Sequence, residues 1–177
     1  MTSLTGWFKG CQQCASPNYN ARPDGVEIDL LVIHCISLPE GQYGTGHITD
    51  LFFNRLDCSA HPSFVDLRDL QVSCHFVIDR QGHTIQYVST FDRAWHAGVS
   101  SFQGRKNCND YAIGIELEGT DQSVFTDQQY AGLNRLIATI QQHHPAITSS
   151  RIVGHSDIAP GRKTDPGVGF EWSRLNT

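Results

Sequence analysis

Residues 151–167, Arg-Ile-Val-Gly-His-Ser-Asp-Ile-Ala-Pro-Gly-Arg-Lys-Thr-Asp-Pro-Gly, bring an imidazole, a cation and a carboxylate into one short span: His155, Lys163 and Asp165. Ile152 and Val153 read as a strand that breaks at Gly154 and ends on His155, and an ordered loop closed by Pro166 and Gly167 follows. Imidazole nitrogen and carboxylate oxygen are ordinary Zn²⁺ ligands, and a hydrolytic zinc site keeps three protein ligands so that water can take the fourth position. Two candidates therefore sit in this loop. Ile28-Asp-Leu-Leu-Val-Ile33 is a second apolar run, suited to a strand covered on both faces, and it ends on His34. In open α/β sheets ligands gather at the carboxyl ends of strands, which makes His34 the third candidate. Taken alone, His34 fits a hydrogen-bonded core histidine equally well.

Carboxylates for proton transfer are found in Tyr111–Glu118. The segment alternates, with Ile113, Ile115 and Leu117 toward a core and Gly114, Glu116 and Glu118 on the opposite face. Glu116 and Glu118 form either a general-base pair or a solvated polar face. Ala94-Trp-His-Ala-Gly98 reads as a loop offering Trp95 and His96 as a wall for a sugar or peptide, or else a structural Trp. His75, mid-strand, suits a packed role or one that orients a ligand; His83 falls beside a turn. Cys11-Gln-Gln-Cys14 has zinc-knuckle spacing but no second pair, and is read as coincidence.

The elements that must position these groups follow from patterning. At 177 residues, with 39% hydrophobic and 18% charged, the chain suits one globular domain. A net charge of −5 argues against nucleic acid or an anionic membrane as partner. No apolar run approaches the ~18 residues of a membrane span. Met1 to Gly25 lacks the apolar core of a secretory signal, so the chain reads as cytoplasmic, with its six cysteines as reduced thiols. This stretch forms an irregular arm, 1–25, rich in turn residues and expected to wrap the surface, before the main domain, 26–177. A helix is expected with Ile48, Leu51, Phe52 and Leu56 on one stripe, then a hairpin, Val72–Asp79 with His83–Val88, turning between Asp79 and Gly82. Thr126-Asp-Gln-Gln129 is a capping box opening the longest helix, which buries Tyr130, Leu133, Ile137 and Ile140 and stops before Pro145; His143 and His144 favour its dipole. The order of strands and helices predicts a single α/β domain, a central mixed sheet flanked by helices.

Leu-Val-Ile-His34, Val-Ser-Cys-His-Phe76 with its hairpin, Arg-Ala-Trp-His-Ala-Gly98, Cys108 to Gly119, and Gly-His155 through Gly167 resemble the zinc-dependent N-acetylmuramoyl-L-alanine amidases. These share a fold with phage T7 lysozyme and the peptidoglycan-recognition proteins. The resemblance covers Trp7 to Leu175 and is closest to the cytoplasmic branch that acts on anhydro-muropeptides. It implies one Zn²⁺ per chain on His34, His155 and Asp165, with Glu116 as acid/base and Lys163 as stabiliser of the transition state. Asp165 stands where phage and animal relatives use Cys, and Glu116 where many have Tyr. The implied reaction cleaves the amide between the lactyl group of (1,6-anhydro-)N-acetylmuramic acid and L-alanine of the stem peptide, in cell-wall recycling and, indirectly, control of β-lactamase induction. The implied partner is a muropeptide met by a monomer, with Trp95, His96 and Cys35 as candidate substrate contacts. Cys35 replaces the Asn most relatives carry, and Gln71 and Asn107 stand where close relatives tend to have basic residues. A non-catalytic muropeptide-binding module and a thiol hydrolase built on Cys35 are the alternatives.

Overall fold

Apolar runs become strands wherever both faces can be covered. In the computed structural model, which describes residues 5–176, ten strands form: Gln12–Gln13 (β1), Tyr19–Ala21 (β2), Leu30–Ile36 (β3), Phe76–Ile78 (β4), Thr84–Gln86 (β5), Asp92–Ala94 (β6), Ser101–Phe102 (β7), Arg105–Lys106 (β8), Ala112–Glu118 (β9) and Ile152–Gly154 (β10). The α-helices are His47–Phe52 (α1), Asp127–His143 (α2) and His155–Ile158 (α3). The main sheet has the order β1-β5-β4-β9-β3-β10. β3 lies between β9 and β10, parallel to both, and β5 runs antiparallel to β4, so the sheet is mixed as expected.

Period-two alternation along β3 and β9 sorts the chemistry to one face. Leu31, Ile33, Ile113, Ile115 and Leu117 pack under Tyr130, Leu133, Ile137 and Ile140 of α2. Leu30, Val32 and Ala112 face the other way, against Ala97, Tyr111 and Ile158. His34 and Glu116 share the parity of that second face, and the register makes them direct partners across the β3–β9 pair. The capping box at α2 forms as expected, Thr126 accepting from the Gln129 N–H and Gln129 reaching back to the Thr126 N–H.

Several elements differ from expectation for local reasons. α1 ends at Phe52 because Asn54 adopts a left-handed φ of 58°, a common helix stop; Leu56 lies beyond the helix yet still packs on its cluster. The hairpin strands are short because Ser73 is engaged elsewhere, its N–H on Trp95 O and its hydroxyl on Asn18 O. Its turn has the expected shape, Gly82 N–H donating to Asp79 O at 3.0 Å. His155 opens α3 directly, where a loop was expected, and the Asp157 carboxylate caps the Gly154 N–H at 2.7 Å. The N-terminal stretch pairs with the sheet as well as wrapping it. β1 adds to the edge strand β5, β2 pairs with β6, and Phe8 is buried beneath α2. Edge backbone groups of β5 thereby find partners. Residues 1–4 and 177 of the expected arm and domain lie outside the described residues.

Candidate active site

His34 and His155 come from adjacent parallel strands, His34 on β3 and His155 just after β10, so the sheet itself sets their separation. Asp165 arrives from the following loop, pinned by the Ser156 N–H on its backbone oxygen at 3.0 Å. The three side chains converge. His34 Nδ1 is 3.0 Å from His155 Nδ1 and 3.1 Å from Asp165 Oδ2, and His155 Nδ1 is 3.0 Å from that same oxygen. They form the only cluster of three or more potential metal ligands among the described residues.

Proton bookkeeping shows what this triangle suits. His155 Nε2 faces the carbonyl oxygen of Ala97 at 3.1 Å, which can only accept, so Nε2 carries a proton and Nδ1 is the nitrogen turned to the triangle. Burial pushes the His34 pKa down to about 4, outweighing the hydrogen bond to Asp165, which raises it. At Asp165 burial works to raise the carboxyl, but hydrogen bonds from His155 and His34 hold it below its usual range. Once a cation displaces the protons of these hydrogen bonds, two imidazole nitrogens and one carboxylate oxygen would aim lone pairs at a common point. A tetrahedral ion with bonds of about 2.0 Å has ligand-to-ligand edges of about 3.3 Å, so edges of 3.0–3.1 Å fit one face of a Zn²⁺ shell and leave the fourth corner open.

Glu116 lies beside His34 in the β3–β9 register, with its Oε2 buried and without a partner. Burial raises its pKa well above the ordinary carboxyl value; Asp165 adds to the rise and Lys163 opposes it. Such a carboxyl is poised to hold and release a proton. A cleft of about 420 Å³ opens over Asp165, lined also by Cys35, Glu40, Asp121, Arg162 and Lys163. A larger cavity of about 530 Å³, between Phe8, Cys11, His83 and Arg135, lies apart from these residues.

The other sequence candidates separate clearly. The Glu118 carboxylate accepts the Gly44 N–H at 2.6 Å, which anchors the loop after β3. The Trp95 indole donates to Asn20 Oδ1 at 2.6 Å. His96 stands behind His34, its Nδ1 2.9 Å from His34 Nε2. His75 accepts the Gly114 N–H on Nδ1 at 3.0 Å, while His83 pairs with Asp79, and His144 meets the Thr90 hydroxyl. Cys11 and Cys14 are unpaired thiols. Asn109 and the Ala97 carbonyl were not singled out from the sequence. A backbone oxygen has no sequence signature, and Asn109 sits in an ordinary Asn-Asp turn before β9.

An α/β sheet carrying a His-His-Asp cluster and an adjacent unpaired carboxyl is the framework of a metal-dependent hydrolase. Residues 24–168 match the model of the N-acetylmuramoyl-L-alanine amidase family, and the chain belongs to that family. It is 52% identical over 169 residues to the 1,6-anhydro-N-acetylmuramyl-L-alanine amidase AmpD of Haemophilus influenzae, covering 96% of this chain and 92% of that one. To AmpD of Escherichia coli K12 the identity is 48% over 170 residues, covering 96% and 92%. A crystal structure of a selenomethionine AmpD derivative superposes with a TM-score of 0.95 at 47% identity, covering 99% of this chain and 97% of that one.

Proposed function

We propose that the chain hydrolyses the amide between the lactyl group of 1,6-anhydro-N-acetylmuramic acid and L-alanine of the stem peptide, with Zn²⁺ held by His34, His155 and Asp165. The observation that carries this reading is the triangle of three potential ligand atoms at 3.0–3.1 Å beside a carboxyl whose Oε2 is buried without a partner. Its support is the near full-length similarity to amidases named for that substrate. When bound, Zn²⁺ polarises the scissile carbonyl and lowers the pKa of water toward ~7.

The protein's own groups supply the rest. Glu116 takes the proton of the attacking water and returns it to the departing alanine nitrogen, a double duty suited to a carboxyl with a raised pKa. Lys163 lines the cleft two positions before Asp165 and offers its ammonium to the oxygen on which negative charge develops. Cys35, also on the cleft wall, is assigned to substrate contact. Its thiol is pushed up by burial and by the carboxylates of Glu116 and Asp165, the reverse of what a thiol nucleophile needs. We assign 26–177 as the amidase unit and 1–25 as an arm serving it, acting as a monomer. Six unpaired cysteines accord with a reducing cytoplasm. No helix among the described residues is long and apolar enough to cross a membrane.

The test is metal analysis of the purified chain, paired with release of free stem peptide from anhydro-muropeptide before and after chelation. One equivalent of zinc and activity that is lost to the chelator and restored by zinc are expected. Turnover that survives complete metal removal overturns the proposal.

A further inference from the structure

Residues 96 and 97 are neighbours in sequence, and each touches the rear nitrogen of a different ligand candidate. His96 Nδ1 lies 2.9 Å from His34 Nε2, and the Ala97 carbonyl oxygen lies 3.1 Å from His155 Nε2. A single side chain holds both in place: Asn109 Oδ1 accepts the N–H of His96 at 3.0 Å and of Ala97 at 2.8 Å, and Asn109 is buried. The strand beneath makes room for the imidazole. A Cβ added at Gly114 would fall 2.6 Å from His96 Cγ and Nδ1, so only glycine lets that ring lie on β9. The rings of His34 and His96 meet edge to face at 85°, with centroids 5.0 Å apart.

We infer that His96 is a positioning residue for the metal centre: by accepting the His34 Nε2–H on its Nδ1, it holds the His34 lone pair toward the ion, as Ala97 O does for His155. Neutral imidazole carries one ring proton, so His34 offers Nδ1 to a metal only when Nε2 keeps the proton and something behind it accepts. His96 Nδ1 is that acceptor. The opposite nitrogen of His96, Nε2, is buried without a partner, so the ring is not kept there to satisfy its own polar atoms. Packing alone would be served better by an apolar side chain. This assignment rests on the metal-centre reading above, and it moves His96 from the substrate wall to the rear of His34.

The experiment measures the zinc affinity of the full chain by competition with a chromophoric chelator, for the unaltered protein, His96→Ala, His96→Asn and Gly114→Ala. Hydrogen-bond partners behind a metal-bound histidine are worth about 10–100-fold in affinity, so His96→Ala is expected to bind zinc that much more weakly. Asn places Oδ1 close to the position of Nδ1, so His96→Asn is expected to recover affinity to within about threefold of the unaltered chain. Gly114→Ala keeps the imidazole but displaces it, with an expected loss of about tenfold, and it serves if His96→Ala does not fold. In the zinc-loaded protein the His34 Nε2–H should give a slowly exchanging proton resonance that vanishes in His96→Ala and returns in His96→Asn. His96→Ala and Gly114→Ala binding zinc within about twofold of the unaltered protein overturn the inference alone, as does a His96→Asn variant no better than His96→Ala. An unaltered chain that binds no zinc overturns the metal-centre reading and the inference with it.

Discussion

Replacing Glu116 by Gln exchanges one carboxyl oxygen for an amide nitrogen with almost no change of shape, at a site where the carboxyl has most to do. Its Oε2 is buried and makes no hydrogen bond, so the exchange breaks no contact there. General acid–base catalysis contributes about 10²–10⁴-fold, and at about 1.36 kcal/mol per decade this is roughly 2.7–5.4 kcal/mol of barrier. Turnover of anhydro-muropeptide should fall by that factor with zinc content unchanged, because the side chain at position 116 supplies none of the ligand atoms.

Stability moves the other way. Burial, reinforced by Asp165, makes the folded state hold the Glu116 proton more tightly than the unfolded chain does. Glu116 therefore contributes a destabilisation of the metal-free protein that grows as pH rises above the ordinary carboxyl value of 4.5 toward the raised one, and Glu116→Gln removes that contribution. Thermal melts of metal-free protein at about pH 5 and pH 8 should show the variant gaining on the unaltered chain at the higher pH. Peptide release followed by chromatography at saturating substrate gives the rate. A variant that keeps more than about a tenth of the rate, fully zinc-loaded, would refute the proton-transfer role. One that loses stability at pH 8 would refute the account of the buried carboxyl.

Asp165→Ala leaves two ligand candidates and should abolish both stoichiometric zinc and peptide release, read by metal analysis and chromatography; near-normal zinc content would contradict the triangle. Lys163→Ala should lower kcat by about 10²–10³-fold. Lys163 is exposed, so zinc content and melting temperature should hold, and a change confined to KM would reassign it to binding. Asn109→Ala strips the acceptor from one buried and one part-buried backbone N–H group. At about 1–3 kcal/mol each, the loss is roughly 2–6 kcal/mol, to be read by urea unfolding of the metal-free protein; a loss under about 1 kcal/mol would show that the loop is held by other means.

What the residues determine by themselves is whatever depends on near neighbours in the chain. Apolar runs before His34 and His155 marked strands that end on imidazoles, and Thr126 with Gln129 marked the start of the long helix, because burial patterns and caps act over a few positions. Two placements needed the assembled sheet. The β3–β9 register sets Glu116 beside His34, while the same alternation sends Glu118 to the Gly44 N–H, a choice between two carboxylates that spacing left open. The 94–98 loop was legible as a loop, but its place behind the histidines was not, for a further reason. Its Ala97 oxygen is backbone, and the Asn109 oxygen that anchors it acquires its meaning only when residues a dozen positions away fold back upon it. Local sequence chooses the elements and the chemistry they carry, but register and backbone contacts between distant segments decide which atoms meet, because those energies exist only once the chain has closed on itself.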